Sequence, residues 1–219
     1  MDIIKKLAQE LAIKEEQAKA AVQLIDEGNT IPFIARYRKE MTGALNDETL
    51  RNLHERLLYL RNLEEKKEQV INAITDQGKM TEDLKKKILS AETLVAVDDL
   101  YRPYRPKKQT RATKAKEKGL EPLANILLLQ KTTKSMEEEA AAFVNAEKGV
   151  ANAKEAIAGA KDIIAEMIAD MADYRKSIRN CTMKQGSLVV KAKDEKAESV
   201  YEMYYDFREP LSKVTGYRV

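Results

Sequence analysis

The chain has 219 residues, 43% hydrophobic and 34% charged, with only 8 Gly and 5 Pro, a composition that excludes fibrous and low-complexity classes and favours a helix-rich chain able to bury a core. Its 39 Lys and Arg against 36 Asp and Glu leave a formal charge of +3, too small for bulk charge to name a polyanionic partner, so local clustering must carry that argument. The single Cys181 excludes an internal disulfide, no apolar run approaches the roughly 20 residues of a membrane helix, and Met1 runs directly into a charged amphipathic segment; a cytoplasmic protein with no membrane partner is expected.

Residues 2–11 place Ile3, Ile4, Leu7 and Leu11 on one stripe, and residues 18–25 do the same with Ala18, Ala21, Val22, Leu24 and Ile25. These are two short amphipathic helices. Gly28 suits the left-handed position that ends the second, and Thr30 with Pro32 opens a third. In this third segment Phe33, Ile34 and Tyr37 share a face. The apolar rings are expected underneath, with Arg36, Arg38 and Lys39 solvated outside.

Asn46 or Asp47 caps a helix that runs to about residue 77, ends at Gly78 and is about 45 Å long at ~1.5 Å per residue. Leu50, Leu53, Leu57 and Leu60 form its seam, which Ile71 and Ile74 resume after an interruption at Glu64 and Lys67. Residues 81–89 begin with acids and end with lysines, so a short helix there is complemented by its own charges. Residues 94–100 add another turn or two before Pro103.

Residues 98–118 read DDLYRPYRPKKQTRATKAKEK. Arg102, Arg105, Lys107, Lys108, Arg111, Lys114, Lys116 and Lys118 gather around Tyr101 and Tyr104, opposed only by Asp98, Asp99 and Glu117. Such a run attracts polyanions. Pro103 and Pro106 remove two backbone donors and fix two φ angles, which makes the first half a stiff connection and not a continuous helix. Two readings stand side by side. In one the cations contact phosphates while Tyr101 or Tyr104 stacks on an unpaired base; in the other Arg102 and Arg105 pair with Asp98 and Asp99, the tyrosines wedge into the core, and the lysines are merely solvated.

Gly119 and Pro122 separate this run from an apolar stretch ending near Leu129, and Ser135 precedes three glutamates as an N-cap. Residues 152–180 predict a second long helix with the seam Ile157, Ala160, Ile164, Met167, Met171, Tyr174 and Ile178, its Ala- and Gly-rich first half permitting close approach of a neighbour. Gln185 and Gly186 mark a turn, residues 188–193 alternate apolar and basic as an extended segment does, and a last helix is expected over residues 195–207. The fold class read from these elements is an all-α multi-helix bundle with two long helices and a short extended segment near residues 187–193. Residues 1–180 are expected as the helical domain and 181–219 as a connector.

No catalytic constellation is legible. His54 has no ligand-type residue at metal spacing, Cys181 has no histidine beside it, and the glycines are isolated, so neither a metal, a cofactor nor a nucleophile is expected.

Three stretches carry a resemblance. EGNTIPFIARYRKEMTGALNDETL at residues 27–50, VDDLYRPYRPKKQTRATKAKEKGLEPLA at 97–124 and AIAGAKDIIAEMIAD at 156–170, in that order, resemble the N-terminal region of the bacterial Tex family of transcription accessory proteins, which is also similar to a eukaryotic transcription elongation factor. The resemblance implies a helical region bearing helix-turn-helix-like elements, followed in the family by RNase-H-like, helix-hairpin-helix and oligonucleotide-binding barrel domains. The terminal GYRV would then be the threshold of the RNase-H-like domain. The function expected is a non-catalytic module making weak contact with RNA or DNA through the basic run, with Arg36, Arg38 and Lys39 as further candidate contacts. The alternative is a scaffold that docks the downstream domains of the same protein or the transcription machinery.

Overall fold

Helix after helix follows the chain's apolar spacing in the computed structural model, which describes residues 2–106, 108–194 and 196–216. The chain divides into two units, Met1–Tyr101 and Arg102–Val219.

The first unit contains α1 (Ile3–Leu11), α2 (Glu15–Asp26), α3 (Ile31–Tyr37), α4 (Asp47–Asp76), α5 (Glu82–Ser90) and α6 (Leu94–Tyr101). Side-chain caps set the starts: Asp2 accepts from the Lys5 amide at 3.1 Å, Asn46 from Thr49 at 2.7 Å and Thr81 from Leu84 at 3.2 Å, each satisfying an amide that the helix cannot pair internally. Helices α1, α2 and α3 pack on α4. Their core joins Leu7, Ala18, Ala21, Leu24 and Ile34 to Leu50, Leu53, Leu57 and Leu60.

The seam of α4 is continuous. Leu63, Lys67, Val70 and Ile74 are buried after Leu60, so Lys67 belongs to the seam and does not break it. Burying an ammonium requires that its donors be satisfied. Lys67 Nζ donates to Glu64 Oε1 at 2.8 Å and to the Leu89 carbonyl at 2.9 Å, which ties α4 to the C-terminal turn of α5. Two bidentate pairs clamp the other side: Arg56 on Glu10 at 2.6 and 2.9 Å, and Arg61 on Asp26 at 2.8 and 2.7 Å.

The second unit opens with a 3-10 turn (Arg102–Tyr104) and continues through α7 (Arg111–Glu117), α8 (Glu121–Leu129), α9 (Met136–Ala141), α10 (Ala153–Ala169) and α11 (Ala172–Gln185) to β1 (Ser187–Lys191) and β2 (Asp206–Pro210). Ser135 and Glu138 form a reciprocal capping box at the start of α9. Helices α7, α8 and α9 surround α10, and the core is made largely of small residues: Ala112, Ala115, Ala124, Ala140, Ala156 and Ala160 with Leu120, Leu123 and Ile163. A Cβ added at Gly159 would run into Leu120 Cδ1 and lie 3.2 Å from Ala115 Cβ. The small-residue stretch therefore does admit close neighbours.

Two further expectations are corrected here. The second long helix is two helices, because Asp170 ends α10 and Met171 is extended at φ −72°, ψ 117°. The buried Asp170 carboxylate accepts from Arg102 Nε at 2.8 Å, a tertiary pairing that seam periodicity does not encode. Beyond the break, Met171, Tyr174 and Ile178 of the expected seam are exposed. The last helix, expected over residues 195–207, is replaced in its described residues by a 3-10 turn (Glu202–Tyr204) and β2. Antiparallel pairing with β1, in the register Ser187 to Pro210 and Lys191 to Asp206, supplies hydrogen bonds that a surface helix would need a packed face to compete with. Phe207 and Glu209 turn inward in alternation, and Tyr204 meets Phe207 edge-on with centroids 5.3 Å apart.

No helix among the described residues is long and apolar enough to cross a membrane.

Candidate nucleic-acid interface

The basic run lies at the start of the second unit, apart from Tyr101, which closes α6. Pro103 sits in the 3-10 turn, and α7 begins only at Arg111, where Thr110 Oγ1 accepts from the Thr113 amide at 3.0 Å. The prolines thus produce the non-helical connection that their chemistry requires. Arg102, Arg105, Lys108, Arg111, Lys114, Lys116 and Lys118 are all exposed, whereas Tyr101 and Tyr104 are half-buried. Lys107 lies outside the described residues.

The cations are not equivalent. Arg102 is committed to Asp170. Arg111 stands 3.7 Å from Asp162, Lys116 is 3.3 Å from Glu121, and Lys118 donates to the Gly149 carbonyl at 2.7 Å. Lys108 and Lys114 make no ion pair among the described residues. Asp98, one of the two acids expected to meet the arginines, stands 3.7 Å from Lys66 of α4, and the other, Asp99, is buried.

Arg111, Lys114 and Lys118 recur on one face of α7 and form one wall of a cleft of about 260 Å³. The opposite wall is α10, which contributes Glu155 and Asp162 around Gly159. Carboxylates facing the cations at short range neutralise part of their field, while the outer lysines remain available to a ligand as extended as a nucleic-acid backbone.

Arg36, Arg38 and Lys39 occupy the end of α3 and the turn that follows, in the first unit. All three are exposed, and Arg36 and Lys39 make no ion pair among the described residues. The rings beside them are not underneath, as expected from the sequence, but outside. Ile34 is fully buried, with Ile31 and Ala35 packed against the same core, whereas Phe33 is 36% and Tyr37 66% exposed. The helix carries two apolar stripes, and the aliphatic one won because it fits the close contact with α4. The spacing of Ile31, Ile34 and Ala35, at i, i+3 and i+4, was the available signal. Phe33 and Tyr37 stack at a 45° tilt with centroids 5.3 Å apart, and the Arg38 guanidinium lies 5.2 Å over the Phe33 ring.

Among the described residues no group of three or more His, Cys, Asp or Glu is placed to hold a metal ion. His54 is half-buried on α4, beside Asn29, Thr30 and Pro32, and Cys181 is exposed on α11.

Comparison with known proteins finds two family models on this chain: the Tex-like protein N-terminal domain over residues 1–75 and the Tex central region-like model over residues 131–219. The chain is 46% identical over 97% of its length to Protein YhgF of Escherichia coli, of which it covers 28%. It is 41% identical over its full length to the Transcriptional accessory protein Tex of Neisseria gonorrhoeae, of which it covers 29%. A human relative, the S1 RNA-binding domain-containing protein 1, is 32% identical over 84% of this chain, which covers 18% of that protein. The chain therefore spans less than a third of the length of these relatives.

Proposed function

The chain belongs to the Tex family, as an N-terminal portion of that protein, and from this premise we propose that it is a helical module of a transcription accessory protein that acts by contact and not by chemistry, touching RNA or DNA weakly through its basic run. Residues 181–219 serve as the connector to a following RNase-H-like domain.

The observation that carries the reading is the row of exposed cations leading into and along α7, of which Lys108 and Lys114 are uncommitted among the described residues. The names of two relatives, transcriptional accessory and S1 RNA-binding, point in the same direction. Affinity for single-stranded RNA and for duplex DNA is expected to fall with salt. Reversing Lys108, Arg111 and Lys114 to Glu should reduce the log–log salt slope by about 2–3, at ~0.7–0.9 for each lost phosphate contact. A slope unchanged by the triple variant, or no binding at low salt, removes the basic run from the account.

The second reading is a protein scaffold that docks downstream domains or the transcription machinery. It draws on the exposed Met167 and Ile168 of α10, Met171 at the break, and Tyr174 and Ile178 of α11, apolar side chains of the kind that contact surfaces use. Co-purification with polymerase that survives nuclease treatment and is lost in Ile178→Glu would favour it.

A further inference from the structure

We propose that the outer face of α3 and the turn after it form a binding site for unpaired nucleic acid, with a base stacked on Tyr37 and the adjoining phosphates held by Arg36, Arg38 and Lys39. This shares with the reading above only the kind of ligand; its residues belong to the first unit and lie outside the basic run.

The rings face solvent although the helix has an apolar stripe that satisfies the core without them. Ile31, Ile34 and Ala35 pack into the core against α4, and neither Phe33 nor Tyr37 is among its side chains. The pair is ordered nonetheless: the two rings hold each other, and Arg38 covers Phe33, which leaves Tyr37 as the open π-face. Sequence-tolerant stacking of unpaired bases uses such a face.

The charge immediately beside the rings in sequence is mostly positive. Between residues 28 and 46 stand Arg36, Arg38 and Lys39 against the single acid Glu40. Three cations within four residues, none in an ion pair with a described residue, complement a polyanion better than the mixed rim of a protein partner.

The backbone beneath is fixed. Buried Thr42 donates its amide to the Arg38 carbonyl at 3.1 Å, and Ala44 donates to Lys39 at 2.8 Å. Gln17 of α2 reaches across to the Thr42 and Gly43 carbonyls at 3.2 and 2.9 Å. The cations are thus presented from a preorganised turn, which lowers the ordering penalty on binding. A helix of seven residues is only about 10 Å long, too short to lie along a major groove, and a stacked duplex offers Tyr37 no free base face. A single strand offers both.

The chain contains no Trp, so Tyr37→Trp installs a sole indole reporter at a position that is 66% exposed. Titration of the full chain with a short oligothymidylate should quench the indole, while the matched duplex should not. Tyr37→Ala should weaken oligothymidylate binding by about 5- to 150-fold with the melting temperature unchanged. If Tyr37→Ala binds like the parent while reversal of Lys108, Arg111 and Lys114 abolishes binding, this proposal is overturned and the basic-run reading stands. The opposite pattern supports this proposal and overturns the basic run. An indole that responds to no oligonucleotide also overturns it and leaves the patch to a protein contact.

Discussion

Single residues decide how closely these helices meet. Gly159 of α10 lies so near the connection between α7 and α8 that a methyl group would press on Leu120, which is 2% exposed and enclosed by the core. Gly159→Ala sets about 1 kcal/mol of improved helix propensity against about 1–3 kcal/mol of overpacking. A net loss of stability is expected, read as a lower urea midpoint; a higher midpoint would mean that α7 and α10 can separate freely. Lys67 poses the converse case of a polar group in an apolar seam. Lys67→Met keeps the volume but leaves the Leu89 carbonyl without its donor, an expected loss of about 1–2 kcal/mol, and Lys67→Ala should lose about 1 kcal/mol or more beyond that through the cavity. Equal urea midpoints for the two variants would show that the ammonium, and not the packing of its stem, sets the effect. Glycine in an alanine-rich helix is a legible sign of close approach, and it was read correctly. The role of Lys67 was not legible, because the partner that satisfies it, a backbone carbonyl 22 residues away, leaves no trace in side-chain spacing.

Helices and strands are where local pattern succeeds most and fails most instructively. Asp2, Asn46, Thr81 and Ser135 begin helices by the same device of a side-chain oxygen on a free amide, which depends only on neighbours in sequence. The break at Asp170 and the strand Asp206–Pro210 depend instead on Arg102 and on β1. Between elements, the Arg56 guanidinium holds Glu10 below the ordinary glutamate range through its hydrogen bonds, and Arg61 does the same for Asp26. A carboxyl whose folded pKa is depressed contributes stability that is fully present above its unfolded value and lost as pH falls through the folded one. The clamps on α1 and α2 should therefore act in full above the ordinary carboxylate range near about pH 4 and weaken below it. Both pairs are partly exposed, so solvent screening limits each to roughly 0.5–1 kcal/mol. Melting temperatures of the parent and of an Arg56→Ala, Arg61→Ala variant should differ at neutral pH and converge in acid. A constant difference across that range would assign the effect to packing.

Across the chain as a whole, two clusters of buried residues stand out. One is gathered around the first half of α4 and the other around α10, with no residue in common. Residues 1–101 alone are expected to melt cooperatively with helical circular dichroism; a non-cooperative, coil-like fragment would mean that this core depends on the rest of the chain. The division between the units falls beside the prolines of the basic run, a place where the backbone cannot continue as helix. The candidate sites were legible as charge and not as geometry. The cations of residues 102–118 stand out in composition, but Arg102 turned to a carboxylate 68 residues away, and Phe33 and Tyr37 were assigned to the wrong side of α3. The helical class, most helix starts and the two glycine-marked helix ends at Gly28 and Gly78 rest on propensity, capping and periodicity within a few residues, and so are legible locally. Long-range contacts set which stripe of α3 is buried, where α10 stops, how Lys67 is satisfied and which basic residues are committed to carboxylates. Each of these depends on a partner distant in sequence, and a local pattern specifies which faces can be buried without specifying what arrives to cover them.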